Sequence, residues 1–262
     1  MKKLVLALSA VAAFTGSALA ADLPARTYTK APMMAPVYSW TGFYIFGGGG
    51  YGMFDSNTFT TTFPGGTPLS IGHKDGGDGY FGTVGAGYDW QFNGSWVAGI
   101  FADGQFGSIK GSLTDPLWTG FGISGSVKDK TNVAAGVRLG YLVAPNVYSY
   151  VNGGYSYAEF SGSTLVGNIT GLPVATTPSF HRNGWFVGGG VENSLNIFGI
   201  AAPGWFMKTE YRAAEYQRVN LGESFVAGGL TGQGISVKPI VQTVSTSLVY
   251  RFNWGGPVVA KY

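Results

Sequence analysis

The sequence predicts an all-β chain, an eight-stranded antiparallel transmembrane up-and-down β-barrel with short periplasmic turns and long extracellular loops, on three observations. The first is the segment Gln242 to Phe252, where every second residue (Val244, Leu248, Tyr250, Phe252) is apolar while Thr243, Ser245, Ser247 and Arg251 alternate with them. No helix-period segment of useful length follows the leader to cover that greasy face, so it is left to lipid. In hydrocarbon each unsatisfied backbone group costs several kcal/mol, so a terminal strand there has to pair with the first strand and close a barrel.

The second observation is the leader. Lys2 and Lys3 precede a run from Leu4 to Phe14 that is apolar except for Ser9, followed by Ala18-Leu19-Ala20. A charged start, an apolar stretch too short to span a bilayer and an A-x-A site read as a signal peptide over residues 1–20, cleaved after Ala20. Without Lys2 and Lys3 the chain carries 14 basic against 13 acidic residues, a net charge of +1 and no polybasic surface for nucleic acid. The third observation is composition: 11% charged residues, 15% aromatic, 44 glycines and no cysteine. That balance excludes a disulfide-stapled scaffold, thiolate metal sites and a disordered chain, and it suits strands with one face in lipid.

Taken in order, residues 21–39 carry Pro24, Pro32 and Pro36 and read as a periplasmic lead-in to a barrel domain over 40–262. Strand one is expected from Gly42 to Phe54. Its run Gly47 to Gly50 lacks the following helix that a phosphate cradle needs, so it reads as strand glycine in a small, curved barrel. A long loop to Gly79 leads to strand two, Tyr80 to Phe92, and Asn93-Gly94 supplies the positive φ angles of a tight hairpin. Strand three is Trp96 to Phe106, and a polar loop spans Gly107 to Lys130. Strand four, Thr131 to Leu142, turns at Ala144-Pro145-Asn146 into strand five, Val147 to Phe160. After a loop to Arg182 comes strand six, Gly184 to Asn193, then a longer turn from Leu195 to Gly204. Strand seven is Trp205 to Tyr216, and a last long loop precedes the closing strand. Connections alternate long and short, as they do where turns face the periplasm and loops the outside. In a soluble barrel the charged residues would lie outside and the apolar ones inside.

Several of these segments resemble the small porin-like outer-membrane immunogenic proteins of alphaproteobacteria. The carriers are Trp40-Thr41-Gly42-Phe43-Tyr44, Gly87-Tyr88-Asp89-Trp90-Gln91, Arg138-Leu139-Gly140-Tyr141, Gly190-Val191-Glu192, Lys208-Thr209-Glu210-Tyr211, Tyr250-Arg251-Phe252 and the tail to Tyr262. The resemblance spans the chain beyond the leader and departs at Gly47 to Gly50, where relatives carry larger or amide side chains. It implies an eight-stranded surface barrel of the Gram-negative outer membrane, described variously as porin, surface antigen or haem binder.

Period two places Asp89, Asp103, Arg138, Glu192, Lys208, Glu210, Arg212 and Arg251 in the lumen, with Tyr44, Phe46, Tyr150 and Phe186. Charges of both signs in so narrow a space are expected to pair, Arg138 with Glu192 and Lys208 or Arg212 with Glu210, which plugs the barrel. Trp40, Trp90, Trp96, Trp205, Tyr250 and Phe252 are expected as an aromatic girdle at the periplasmic rim. No enzyme, metal or cofactor is expected. The alternatives are a haem- or ligand-binding surface protein, or a lipid-modifying hydrolase using a loop histidine, either His73 with Asp75 or His181 with Ser179. The expected partners are outer-membrane lipids, lipopolysaccharide and the barrel assembly machinery, with a monomeric chain.

Overall fold

Alternation persists well beyond the expected strand ends, and the wall is taller for it. The computed structural model describes residues 39–197 and 200–252. The expected signal peptide, the lead-in as far as residue 38 and the tail from residue 253 lie outside the described residues.

The strands in chain order are β1 (Gly42–Thr62), β2 (His73–Phe92), β3 (Trp96–Asp115), β4 (Ile123–Ala144), β5 (Val147–Phe160), β6 (Ser163–Gly167), β7 (Pro173–Thr177), β8 (Phe180–Ile197), β9 (Ile200–Tyr216), β10 (Val219–Phe225) and β11 (Leu230–Arg251). Each long strand pairs antiparallel with the next in the order β1-β2-β3-β4-β5-β8-β9-β11. β11 returns to β1 in continuous register from Tyr44↔Arg251 to Thr62↔Gln233. The eight-stranded ring therefore has no free edge, the condition that lipid imposes on a sheet.

All four expected long loops are largely strand. Asp55 to Thr62 continues β1 opposite His73 to Gly79, and Gly107 to Lys130 is mostly the upper arms of β3 and β4. The connection after β5 folds into the hairpin β6–β7, and β10 occupies the connection after β9. β4 pairs with β6, β7 with β10 and β10 with β11, so a second closed ring, β1-β2-β3-β4-β6-β7-β10-β11, stands on the first. These segments are poor in apolar residues, so their alternation is carried by threonine and serine instead. Ser56, Thr58 and Thr60 point inward and are buried, and Thr is a good strand former. The third short turn also shrinks from the expected 195–204, because the β8–β9 ladder runs on to Ile197↔Ile200.

Strands of about 20 residues rise roughly 65 Å, or about 50 Å when tilted near 40°, against an apolar band of about 25 Å. The upper ring thus projects beyond the membrane. Its interior is mainly apolar, packed by buried Phe54, Ile109, Leu113, Val127, Phe160, Leu165, Leu221 and Ile235, with Asp115, Asp129 and Glu223 also buried. Below it, within the membrane, the lining is ionic. Two aromatic levels mark the outer face. Trp90, Phe92, Trp96, Trp205 and Phe252 are exposed near the short turns, and Tyr51, Tyr80, Phe106, Tyr155, Trp185 and Tyr211 are exposed where the wall leaves the apolar band.

Candidate functional site: the ion-paired lumen

The lumen charges assemble into two clusters, each of two cations and two carboxylates. Asp89, Arg138, Glu192 and Arg251 come from β2, β4, β8 and β11, alternate strands of the lower ring, and all four are buried. The strand tilt of a closed barrel brings inward side chains of alternate strands to one level. Arg138 donates through Nε and Nη2 to the two oxygens of Asp89 at 2.9 and 2.5 Å, and through Nη1 to Glu192 at 3.3 Å. Arg251 completes the circle, Nε to Glu192 at 2.7 Å and Nη1 to Asp89 at 2.8 Å. Aromatic rings from the strands between them cover the guanidiniums. Tyr44 lies 4.2 Å from that of Arg138, and Phe206 lies 5.5 Å from that of Arg251.

The second cluster sits one level up. Arg212 grips Asp103 in a two-pronged contact at 2.9 and 2.8 Å and also donates to Glu210 at 2.9 Å. The other oxygen of Glu210 accepts from the Tyr150 hydroxyl at 2.7 Å and from Asn152 at 2.9 Å, with Lys208 Nζ at 3.8 Å. Lys208 rests over the Phe46 ring, Nζ 3.3 Å from its centroid. Above this, Ser156 donates to Asn132 at 2.8 Å and shares a bond with the Tyr216 hydroxyl, to which Asn132 also donates.

The expected pairs Arg138–Glu192 and Arg212–Glu210 are present, but Asp89 and Asp103 each hold a guanidinium more tightly than those pairs do. Cross-strand register decides that, and register is invisible from one strand's sequence. Lys208, Glu210 and Arg212 share the inward face of β9, while Tyr150 and Asn152 come from β5 and Asp103 from β3, strands that meet β9 only through the lumen.

One girdle residue is a correction. Trp40 is not at the rim facing lipid but fully buried inside the barrel mouth, its ring 5.0 Å from Phe206, 5.3 Å from Tyr148 and 4.5 Å from the Arg251 guanidinium. Its indole N–H donates to the Pro145 carbonyl at 3.3 Å, and its own carbonyl accepts from Arg251 at 3.3 Å. A partner for the N–H, a cation over the ring and full burial outweigh a seat at the interface. Parity was the available signal, since Tyr44 and Phe46, the even positions of β1, point inward. Trp90, Trp96, Trp205, Tyr250 and Phe252 do lie on the outer face, with Trp205–Tyr250 and Tyr250–Phe252 rings in contact at 5.1 and 5.0 Å.

The histidines are also placed differently, on strands and not in loops. His73 opens β2, with Nε2 3.1 Å from the Thr114 carbonyl and 3.4 Å from Asp75. His181 lies on β8, stacked on Tyr157 at 5.7 Å. β3, β4 and β5 separate their strands on the ring, and neither histidine bonds a serine or threonine hydroxyl among the described residues. No group of three or more metal-ligating side chains is found among the described residues.

Comparison with known proteins adds the following. Residues 25–198 match the family model described as the autotransporter β-domain. The chain is 30% identical over 259 residues to the 31 kDa outer-membrane immunogenic proteins of Brucella melitensis biotype 1 and Brucella suis biovar 1, covering 96% of this chain and 100% of each relative. Among solved structures, the outer membrane protein OprG of Pseudomonas aeruginosa superposes with a TM-score of 0.53 at 10% identity, over 81% of this chain and 97% of that one. That last likeness concerns the fold alone.

Proposed function

From the premise that this chain belongs to the autotransporter β-domain family, with the 31 kDa outer-membrane immunogenic proteins as its relatives, we propose that it is a non-enzymatic, monomeric surface protein whose lumen is shut by its own ion pairs. In this reading the leader is removed after Ala20, the lower ring anchors the protein in the outer membrane, and the upper ring presents a rigid head outside the cell. The observation that carries it is the pair of neutral four-charge clusters stacked across a barrel of eight strands, a width that side chains can fill. A conducting pore leaves a water path between its charged groups. Here each guanidinium is bonded to carboxylates and faced by aromatic rings.

The test is conductance of the folded protein in a planar bilayer, with the heat-modifiable gel shift as the check on folding. The expected outcome is a silent bilayer, or rare brief openings, from protein that is fully folded by the shift. Steady channels from the wild type overturn the closed reading.

A further inference from the structure

The outer face of β3 and β4 carries three lysines with no partner. Lys110 and Lys128 stand directly opposite one another in the ladder, and Lys130 follows on the same face of β4. All three are exposed, and none forms an ion pair or side-chain hydrogen bond among the described residues. Like charges directly opposed across a ladder destabilise it, so the arrangement calls for an anion from outside the chain.

Position says where that anion lies. Phe106, in the upper aromatic level, pairs with Thr131, the residue after Lys130. Lys110 is four residues further along β3, roughly 13 Å of strand, so the lysines occupy the slab where headgroups meet the wall. A bulge sits at this point: the register slips between Phe106 and Ile109, and the β2–β3 ladder stops at Phe81↔Gly107. Bulges bend the strand and re-aim side chains. Beside it opens a recess of about 660 Å³ on the outer surface, lined by Lys110, Ser108, Ser112, Ser126, Tyr80 and Asp78. Asp78 keeps its negative charge at the edge of the recess, where it accepts from the Tyr51 hydroxyl. Besides it the recess offers the Lys110 ammonium and the hydroxyls of Ser108 and Ser126 over a glycine-rich floor, while the Ser112 hydroxyl donates to Asp75 and Gly76.

We propose that Lys110, Lys128 and Lys130, with the serine-lined recess beside them, hold the phosphate groups of an outer-leaflet glycolipid. The inference rests on the membrane-embedded reading of the lower ring. Long lysine stems lie along the apolar wall while their heads reach the charged layer. Three such lysines at an anionic surface account for on the order of a hundredfold in affinity.

The experiment uses the full barrel in phosphatidylcholine nanodiscs doped with bisphosphorylated lipid A or with the same lipid stripped of phosphate. Retained lipid is read by native mass spectrometry, and a heat-modifiable gel shift on every sample confirms a folded barrel. A barrel that fails this check counts against the membrane reading and not against the lysine site. Wild type should retain the phosphorylated lipid. The triple variant Lys110→Ser, Lys128→Ser, Lys130→Ser should lose at least about tenfold of it, and Lys74→Ser, elsewhere on the head, should lose none. The urea midpoint should move in opposite directions: up in the triple variant without phosphorylated lipid, where repulsion is relieved, and down with it. Equal retention by wild type and triple variant, equal retention of the stripped lipid, or displacement by millimolar inorganic phosphate, which makes it a free-anion site, would each overturn the proposal.

Discussion

Glu192 is the residue on which the lower cluster turns, because it alone bridges Arg138 and Arg251 besides Asp89. Removing it leaves two buried guanidiniums sharing one carboxylate. Breaking one partner out of a buried pair costs about 3–5 kcal/mol. Glu192→Ala should therefore lower the urea midpoint in lipid vesicles by an amount of that order; an unchanged midpoint would mean that water reaches this level. A second carboxylate behaves differently. Glu223, in β10 of the head, is fully buried, and neither of its oxygens has a hydrogen-bond partner among the described residues. Burial, and next to it the charge of Asp115, pushes its pKa from an ordinary 4.5 up to about 8. The folded head thus holds a proton that the unfolded chain releases near 4.5. Its stabilising contribution is complete below that value, falls as pH rises and is gone by about pH 8. Wild type should resist urea better at pH 5.5 than at pH 9, and Glu223→Gln should reduce that difference, with the variant the more stable form at pH 9. A pH dependence identical in the two proteins contradicts this account.

At the scale of elements, the short β-hairpins do two jobs that their sequences state unevenly. The lower turns are explicit: Asn93 and Gly94 take φ of 47° and 73°, the conformation that Asn-Gly favours. The upper hairpins are not, since β6, β7 and β10 are only five to seven residues long and their apolar residues, Leu165, Ala175, Val219 and Leu221 among them, are too few in each to show a period. Replacing residues 163–177 by a short Gly-Ser link should leave the lower ring folded and heat-modifiable. It should also expose Leu221 and Ile235, detected as new binding of an environment-sensitive dye in the vesicle-inserted variant. Unaltered dye binding would show that β6–β7 is not what covers them. The aromatic levels make a separate prediction. Trp90, Trp96 and Trp205 lie on the outer face and Trp40 inside, so in single-tryptophan variants brominated lipids should quench the first three, best with bromines near the headgroup, and leave Trp40 bright. Quenching of Trp40 equal to that of Trp96 would place its ring outside.

The described residues form two stacked closed rings sharing β1 to β4 and β11, ion-paired below and mainly apolar above. That order inverts the usual expectation, and the membrane explains it. Lipid supplies the apolar contact for the outer face of the lower ring, while its narrow interior fills with charges that cancel. The upper ring has water outside and needs a core of its own. If the lower clusters form the seal, then loosening the upper ring by the hairpin replacement should leave the bilayer silent. Arg138→Ala, which leaves Asp89 and Glu192 with Arg251 alone, should raise the frequency of openings. Openings that appear on removing the hairpin but not on changing Arg138 would move the seal into the head.

The sequence by itself determined the class of fold, the eight strands of the lower ring, the lower turns and the inward face of each of those strands. These follow from period two, glycine at turns and the demand that lipid makes on backbone groups, all local or solvent-imposed properties. It also named the eight charges of the two clusters, because parity fixes which way a strand residue points, but not Asp115, Asp129 or Glu223, buried higher up in arms that read as loop. Only the tertiary structure decided who pairs with whom. Asp89 with Arg138 and Arg251, and Asp103 with Arg212, depend on the stagger between strands far apart in the chain. The inward side of Trp40 follows from the parity of Tyr44 and Phe46, but its contact with Arg251, 211 residues away, does not. The upper ring was hidden for a related reason: threonine, serine and glycine become wall only when a neighbouring arm offers their backbone a partner, and that neighbour is set by closure, not by local pattern.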